Sequence, residues 1–213
     1  ISLIYVSAAL IMNSAENKKD SAEILGAAEC FMDKCRKYGK KMGIALPYIV
    51  RPESGKELTD LADELADAGI EVFLARSLES LAVLRAAGYS GLVRADEGLY
   101  TYNDAAEKFL DGLGIRKNTA PAELNKKELF SRYCGRSELI VFGYPPLMVS
   151  AQCLRRNISS CDHLSQVQQL TDRTGKNFPV KSECVFCYNV LYNSTVLSLL
   201  DEAGTIKRMG FSS

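Results

Sequence analysis

Four cysteines fall within 35 residues of one another in the second half of this 213-residue chain, spaced as Cys153-x7-Cys161-x22-Cys184-x2-Cys187. Thiolate sulfur is a soft ligand, and four of them are the number that closes a zinc site or an iron–sulfur cluster. A chain of this length buries roughly 70% of the surface it exposes when unfolded and needs no disulfide staples, so the cysteines call for another role. Two plainer readings stay open at this point: Cys184 and Cys187 as small buried residues, or the pair as a disulfide. His163, the single histidine, lies two residues past Cys161, close enough in sequence to be a spare ligand or an acid–base group. Cys30, Cys35 and Cys134 sit on apolar helical faces or at a helix end and read as core or surface thiols.

A second set of candidates comes from polar residues that directly follow short β-branched apolar runs: Arg51, Arg76, Arg94, Asp96, Glu97, Glu123 and Tyr144. On one rim they would form a mixed acid–base cup for a small polar or anionic ligand. Hydrolase signatures are absent: there is no His-Glu-x-x-His and no Gly-x-Ser-x-Gly, and a serine or cysteine protease would depend on His163 alone.

The elements that must position these residues alternate regularly. Ile1–Val6 reads as a buried strand, and Asp20–Lys37 as a helix with Ile24, Ala28, Phe31 and Cys35 along one face. Met42–Val50 follows, then a helix striped by Leu58, Leu61, Ala62 and Leu65. Next come Ile70–Ala75, a helix bearing Leu78, Leu81 and Leu84, and Gly91–Ala95. A helix opening at Asp104, with Glu107 at capping-box spacing, is expected to bury Ala106, Phe109, Leu110 and Leu113. A short polar strand near Ile115–Thr119, a helix start at Asn125–Glu128 and a buried strand at Glu138–Gly143 complete six β-α units. Six consecutive units with no glycine-rich phosphate loop predict an incomplete or modified (β/α) barrel of the triosephosphate-isomerase type, over residues 1–148. Residues 149–213 are expected to form a C-terminal cysteine-rich, metal-binding extension packed on the barrel. A complete barrel has eight strands, and the chain begins with Ile, so a segment preceding Ile1 is expected to be missing.

The charges sum to zero, with 26 basic and 26 acidic side chains, which argues against a strongly basic nucleic-acid binder or a polybasic membrane binder. The balance is uneven along the chain: residues 1–114 hold 13 basic and 18 acidic groups, and residues 115–213 hold 13 and 8. An anionic partner is therefore sought in the second half. No apolar run approaches the ~20 residues of a membrane span, and a soluble, cytoplasmic protein is expected.

Several segments together resemble the collagenase-like peptidase family U32. The run Glu138-Leu-Ile-Val-Phe-Gly143-Tyr-Pro-Pro-Leu-Met148-Val-Ser-Ala-Gln-Cys153 is similar to that family's strand leading into a cysteine motif. Ala120-Pro-Ala-Glu-Leu-Asn125-Lys-Lys-Glu-Leu129 and Ala95-Asp96-x3-Tyr-Thr-Tyr102-Asn103-Asp-Ala-Ala106 resemble the units before it. Asp172-Arg173-x-Gly175-x2-Phe178-Pro179-Val180, Cys184 and Tyr192-Asn193-Ser194 continue the likeness, which covers residues 40–205. The resemblance implies a modified barrel and a four-iron iron–sulfur cluster on Cys153, Cys161, Cys184 and Cys187. It further implies hydroxylation of RNA or of a small aromatic substrate, or else the peptidase activity of the family name. The link Arg155–Ser160 lacks the family's glycine, and the last two cysteines are compressed into Cys-x-x-Cys, which marks a divergent member. In this reading Arg51, Asp96 and Glu123, with Arg94 and Tyr144, hold substrate, and Arg155 and Arg156 beside the first thiol engage phosphate of an RNA. A structural zinc knot on a non-catalytic barrel is the remaining alternative. The open edges of such a barrel call for the preceding segment or a second copy of the chain as partner.

Overall fold

The computed structural model describes residues 2–158, 161 and 163–211. Ile1, Ser159 and Ser160, which the sequence reading placed in the first strand and in the link between cysteines, lie outside the described residues. The chain runs β1 (Leu3–Ser7), α1 (Ala8–Ser14), α2 (Ser21–Lys37), β2 (Lys41–Ala45), α3 (Pro52–Asp67), β3 (Val72–Ala75), α4 (Leu78–Ala86) and β4 (Leu92–Ala95). It continues through α5 (Asp104–Gly112), β5 (Lys117–Thr119), α6 (Lys126–Ser131) and β6 (Ser137–Glu138). The C-terminal part adds β7 (Phe142–Gly143), β8 (Pro146–Ser150), α7 (Leu154–Ile158), β9 (Val167–Thr171), β10 (Asn177–Glu183), β11 (Tyr188–Tyr192), β12 (Leu197–Ser198) and α8 (Ala203–Met209).

The first six strands are parallel and lie in the order β1-β2-β3-β4-β5-β6. Because sheet order follows chain order, the sheet winds one way and curls into a half-barrel, with no reversal of the kind that defines a doubly wound sheet. The register divides the strands into two faces. Val6, Ile44 and Phe73 point outward and form one core with Ile24 and Ala28 of α2 and Leu58 and Leu65 of α3. Tyr5, Gly43, Leu74, Arg94 and Glu138 take the opposite, concave face. Gly43 is required there, since a Cβ at this position would stand 2.8 Å from the Tyr5 ring that lies across it.

β8, β11, β10 and β9 form an antiparallel sheet in that order, and β7 pairs with β12. Val149, Val190, Tyr188, Lys181 and Glu183 share one face of this sheet. Tyr188, Val190 and Phe186 of the turn before β11 belong to the same apolar core as β1–β3, so the second sheet seats on the half-barrel through that face. No helix among the described residues is long and apolar enough to cross a membrane.

Local expectations are revised at four points. Glu138–Gly143 is not one buried strand: β6 ends at Glu138, and Phe142, 61% exposed, pairs in β7 with the antiparallel β12. The chain leaves the parallel sheet there because Val141 instead accepts a hydrogen bond from the Leu199 amide. The cap of α5 is Asn103, whose side chain accepts from the Ala106 amide, while Glu107 is drawn away by Arg132. Of the apolar positions on α5 only Leu110 is buried, and Phe109 is 57% exposed. Finally, β8 begins at Pro146, inside the stretch assigned to the barrel portion.

Candidate functional site

The C-terminal ends of β2, β3 and β4 present Tyr48, Arg76 and Asp96 toward the antiparallel sheet. Arg76 Nε donates to Asp96 Oδ2 at 2.9 Å, and its guanidinium carbon lies 4.3 Å from the centre of the Tyr48 ring. Asp96 Oδ1 accepts from the Glu97 amide at 3.0 Å and so starts a 3-10 turn, Glu97–Leu99. Gly98 lets this turn sit against β3, since a Cβ there would be 2.7 Å from the Arg76 carbonyl oxygen. Tyr100 closes the turn in left-handed conformation, at φ 50°, with its ring stacked on Tyr102.

This construction fixes a carboxyl in an unusual state. Burial, with the charges of Asp96 and Glu123 adding to it against the opposing pull of Arg76, pushes the Glu97 carboxyl up to about 7. Asp96, beside it, accepts hydrogen bonds from Arg76 and a backbone amide. Burial also raises the phenols of Tyr48 and Tyr188, which remain protonated donors. The Tyr188 hydroxyl accepts from the Tyr48 amide at 3.4 Å, and the two rings meet edge to face 6.5 Å apart. On the same sheet face Glu183 is buried, with Oε1 2.5 Å from Lys181 Nζ and Oε2 without a hydrogen-bond partner among the described residues.

Sequence-predicted residues are distributed over three places. Asp96 and Glu97 meet Arg76 at the mouth, with exposed Glu123 close enough to influence Glu97. Arg94 lies on the concave face, paired with Glu138 of β6 and beside Tyr5 of β1, whose phenol burial raises to about 12. Arg51 does not face the mouth openly, because its Nη2 donates to the carbonyls of Ala151 at 2.7 Å and Cys187 at 3.0 Å. Tyr144 is exposed between β7 and β8 and, among the described residues, makes no hydrogen bond to the mouth groups. Tyr48, Tyr188, Lys181 and Glu183 were missed. Tyr48 lies inside the second apolar run, three residues past the end of β2, and Lys181 and Glu183 share a strand face with each other.

The segments bearing the four cysteines are joined to one another. Asn189, opposite Ser150 in the sheet, donates from Nδ2 to the Gln152 carbonyl at 2.7 Å and so anchors the approach to Cys153. The Cys184 amide donates to Ser165 Oγ at 3.2 Å, and its thiol donates to the Leu164 carbonyl at 3.2 Å, tying it to the stretch that follows Cys161. Arg155 Nη1 reaches the same carbonyl at 3.3 Å. Cys187, exposed and left-handed at φ 54°, turns the chain from β10 into β11. Thiolate is the donor type of a metal or cluster site, but backbone ties alone do not assemble one. The sulfurs are not themselves gathered, for among the described residues no three His, Cys, Asp or Glu side chains stand together as a metal site. His163 is exposed, also left-handed, and among the described residues its ring makes no hydrogen bond to a thiol or hydroxyl.

Comparison with protein-family models, curated proteins and solved structures finds no match to this chain.

Proposed function

We propose that this chain is part of a metal-dependent enzyme of the collagenase-like U32 kind, built on a triosephosphate-isomerase-type barrel. Its substrate lies at the mouth formed by Arg76, Asp96 and Glu97, and Cys153, Cys161, Cys184 and Cys187 ligate a four-iron iron–sulfur cluster beside it. The observation that carries this reading is the joining of all four cysteine-bearing segments at the end of an antiparallel sheet that seats on the half-barrel. Bound there, a cluster would supply one-electron chemistry that no side chain of the mouth offers.

The chain's own residues do the rest. Arg76, pinned by Asp96 and the Tyr48 ring, presents a fixed positive charge to an anionic or oxygen-rich group of the substrate. Glu97, with its carboxyl near neutrality, takes or returns a proton. Tyr48 donates a hydrogen bond from a phenol that stays protonated. RNA or a small aromatic compound is the substrate class we favour, Arg155 and Arg156 being basic residues next to Cys153 in sequence.

A structural zinc site is the second reading, favoured by the same four soft donors and by the short Cys184-x-x-Cys187 turn. Purification without oxygen, followed by the visible spectrum and quantification of iron, sulfide and zinc, separates the two. A brown protein containing iron and sulfide supports the cluster, and a colourless protein with about one zinc per chain supports the knot. Protein that retains neither, and takes up neither on reconstitution, contradicts both.

A further inference from the structure

The concave face of the parallel sheet carries charge where a barrel of this kind is packed with branched apolar side chains. Register sets Arg94 of β4 directly opposite Lys117 of β5, and Thr119 opposite Glu138 of β6, so Arg94, Lys117 and Glu138 share that face with Tyr5 and Gly43. Like charges facing each other across a strand pair repel, and only one of the two is offset here. Arg94 pairs with Glu138, whereas Lys117, half-buried, makes no ion pair among the described residues. Other cations of the same face are matched, Arg76 with Asp96 and Lys41 with Glu71. Beside this unmatched positive charge stands a hydroxyl with nothing to bond. The Tyr5 ring crosses the bare Gly43 backbone, and its Oη is buried near Arg94 with no hydrogen-bond partner among the described residues. Burial, acting against the pull of Arg94, raises that phenol to about 12, so it stays a proton donor.

We propose that Tyr5, Arg94 and Lys117 bind the terminal carboxylate of a small substrate on the concave face, below the mouth formed by Arg76, Asp96 and Glu97. From the reading above this takes only that a ligand enters through that mouth. Arg94 stands two residues before Asp96 on β4, so one molecule can reach both places. Arg94 and Lys117 against Glu138 leave one positive charge over, which a singly charged oxyanion neutralises. Phenol, guanidinium and ammonium all present donors to it. A phosphate monoester carries more charge than this set balances. A phosphodiester has the matching charge but lies within a chain, and the inner face of a curled sheet admits an end group more readily than a chain that continues in both directions.

The test is an amide-shift NMR titration of the full chain with propionate, with propionamide as its neutral isostere and inorganic phosphate as the competing oxyanion, in wild type, Tyr5→Phe and Lys117→Gln. Propionate is expected to bind at millimolar concentration, to shift the amides of Gly43, Arg94 and Lys117, and to bind more tightly than either propionamide or phosphate. Tyr5→Phe and Lys117→Gln should each weaken it about tenfold, the loss of one charge-assisted hydrogen bond. Their urea midpoints should stay at or above wild type, because neither removed group has a partner among the described residues to lose. A lower midpoint in one variant would give that group a structural role, and the other variant then decides. Shifts confined to residues 76–99 at the mouth, with affinity unchanged in both variants, would overturn the proposal and leave the mouth reading standing. Shifts at Gly43 and Lys117 with none at Arg76, Asp96 or Glu97 would support the carboxylate site and count against that mouth. Tighter binding of phosphate, or no shift with propionate, would overturn the proposal outright.

Discussion

Glu97 is the residue whose chemistry departs furthest from its ordinary behaviour. Its carboxyl is raised chiefly by burial and further by Asp96 and Glu123, so in the folded protein it keeps its proton to about 7. The unfolded chain releases that proton at ordinary carboxylate pH. Folding is therefore favoured by this group at low pH, and the contribution is lost as pH rises through the window ending near its folded value. Glu97→Gln, which is always neutral, should abolish this dependence. Urea unfolding at about pH 5 and about pH 8 is expected to show wild type losing midpoint relative to the Gln variant at the higher pH. An unchanged difference between the two proteins across that range would place Glu97 in an ordinary solvated setting. Arg132 shows the contrasting use of a buried charge. Its Nη2 contacts Glu107 at 2.6 Å, Asn118 at 3.0 Å and Thr101 and Ser137 at 3.1 Å, joining four segments.

At the scale of elements, the loop between β4 and α5 is the part most tightly built for a task. Its 3-10 turn is started by Asp96, pressed against β3 at Gly98 and ended by left-handed Tyr100. Gly98→Ala forces the turn away from the Arg76 carbonyl and is expected to cost about 1–3 kcal/mol, an overpacking penalty. Hydrogen exchange should then rise at residues 97–101 and leave α2 and α3 unchanged; wild-type exchange at that turn would refute the close fit. Much of the scaffold was legible from apolar periodicity, because strands with Val6, Ile44 and Phe73 on one face and helices with Leu58 and Leu65 on theirs must bury those stripes. The failures have a common physical cause. Glu138–Gly143 carries a strand-like composition, but its partner is Leu197–Ser198, more than fifty residues on, and no local pattern specifies that pairing. Asp104 and Asn103 are both good caps, and with Asn103 in that place the box position is Ala106, which leaves Glu107 one residue further on and paired with Arg132.

For the whole molecule, the half-barrel and the cysteine-bearing sheet are one folding unit by the test of a shared core. Phe186, Tyr188 and Val190 pack with residues of β1–β3, α2 and α3. Urea unfolding monitored by far-UV circular dichroism and by thiol accessibility of Cys184 is expected to give coincident transitions. Separate midpoints would show that the sheet detaches on its own. The candidate mouth was half visible in sequence: rim residues Arg76, Asp96 and Glu97 follow apolar runs, whereas Tyr188, Lys181 and Glu183 reach it only because the second sheet turns one face onto the half-barrel. β1 and β6 are the two edges of the parallel sheet, each pairing with one neighbour among the described strands. What remains central is whether the joined cysteine segments hold a cluster next to that mouth. The most direct measurement is the Mössbauer spectrum of the chain reconstituted with 57Fe and sulfide under anaerobic conditions. A four-iron cluster signal, at about four irons per chain and lost in Cys153→Ser and Cys184→Ser, is the predicted result. Iron present only as mononuclear or unbound species, unchanged by either substitution, would contradict it.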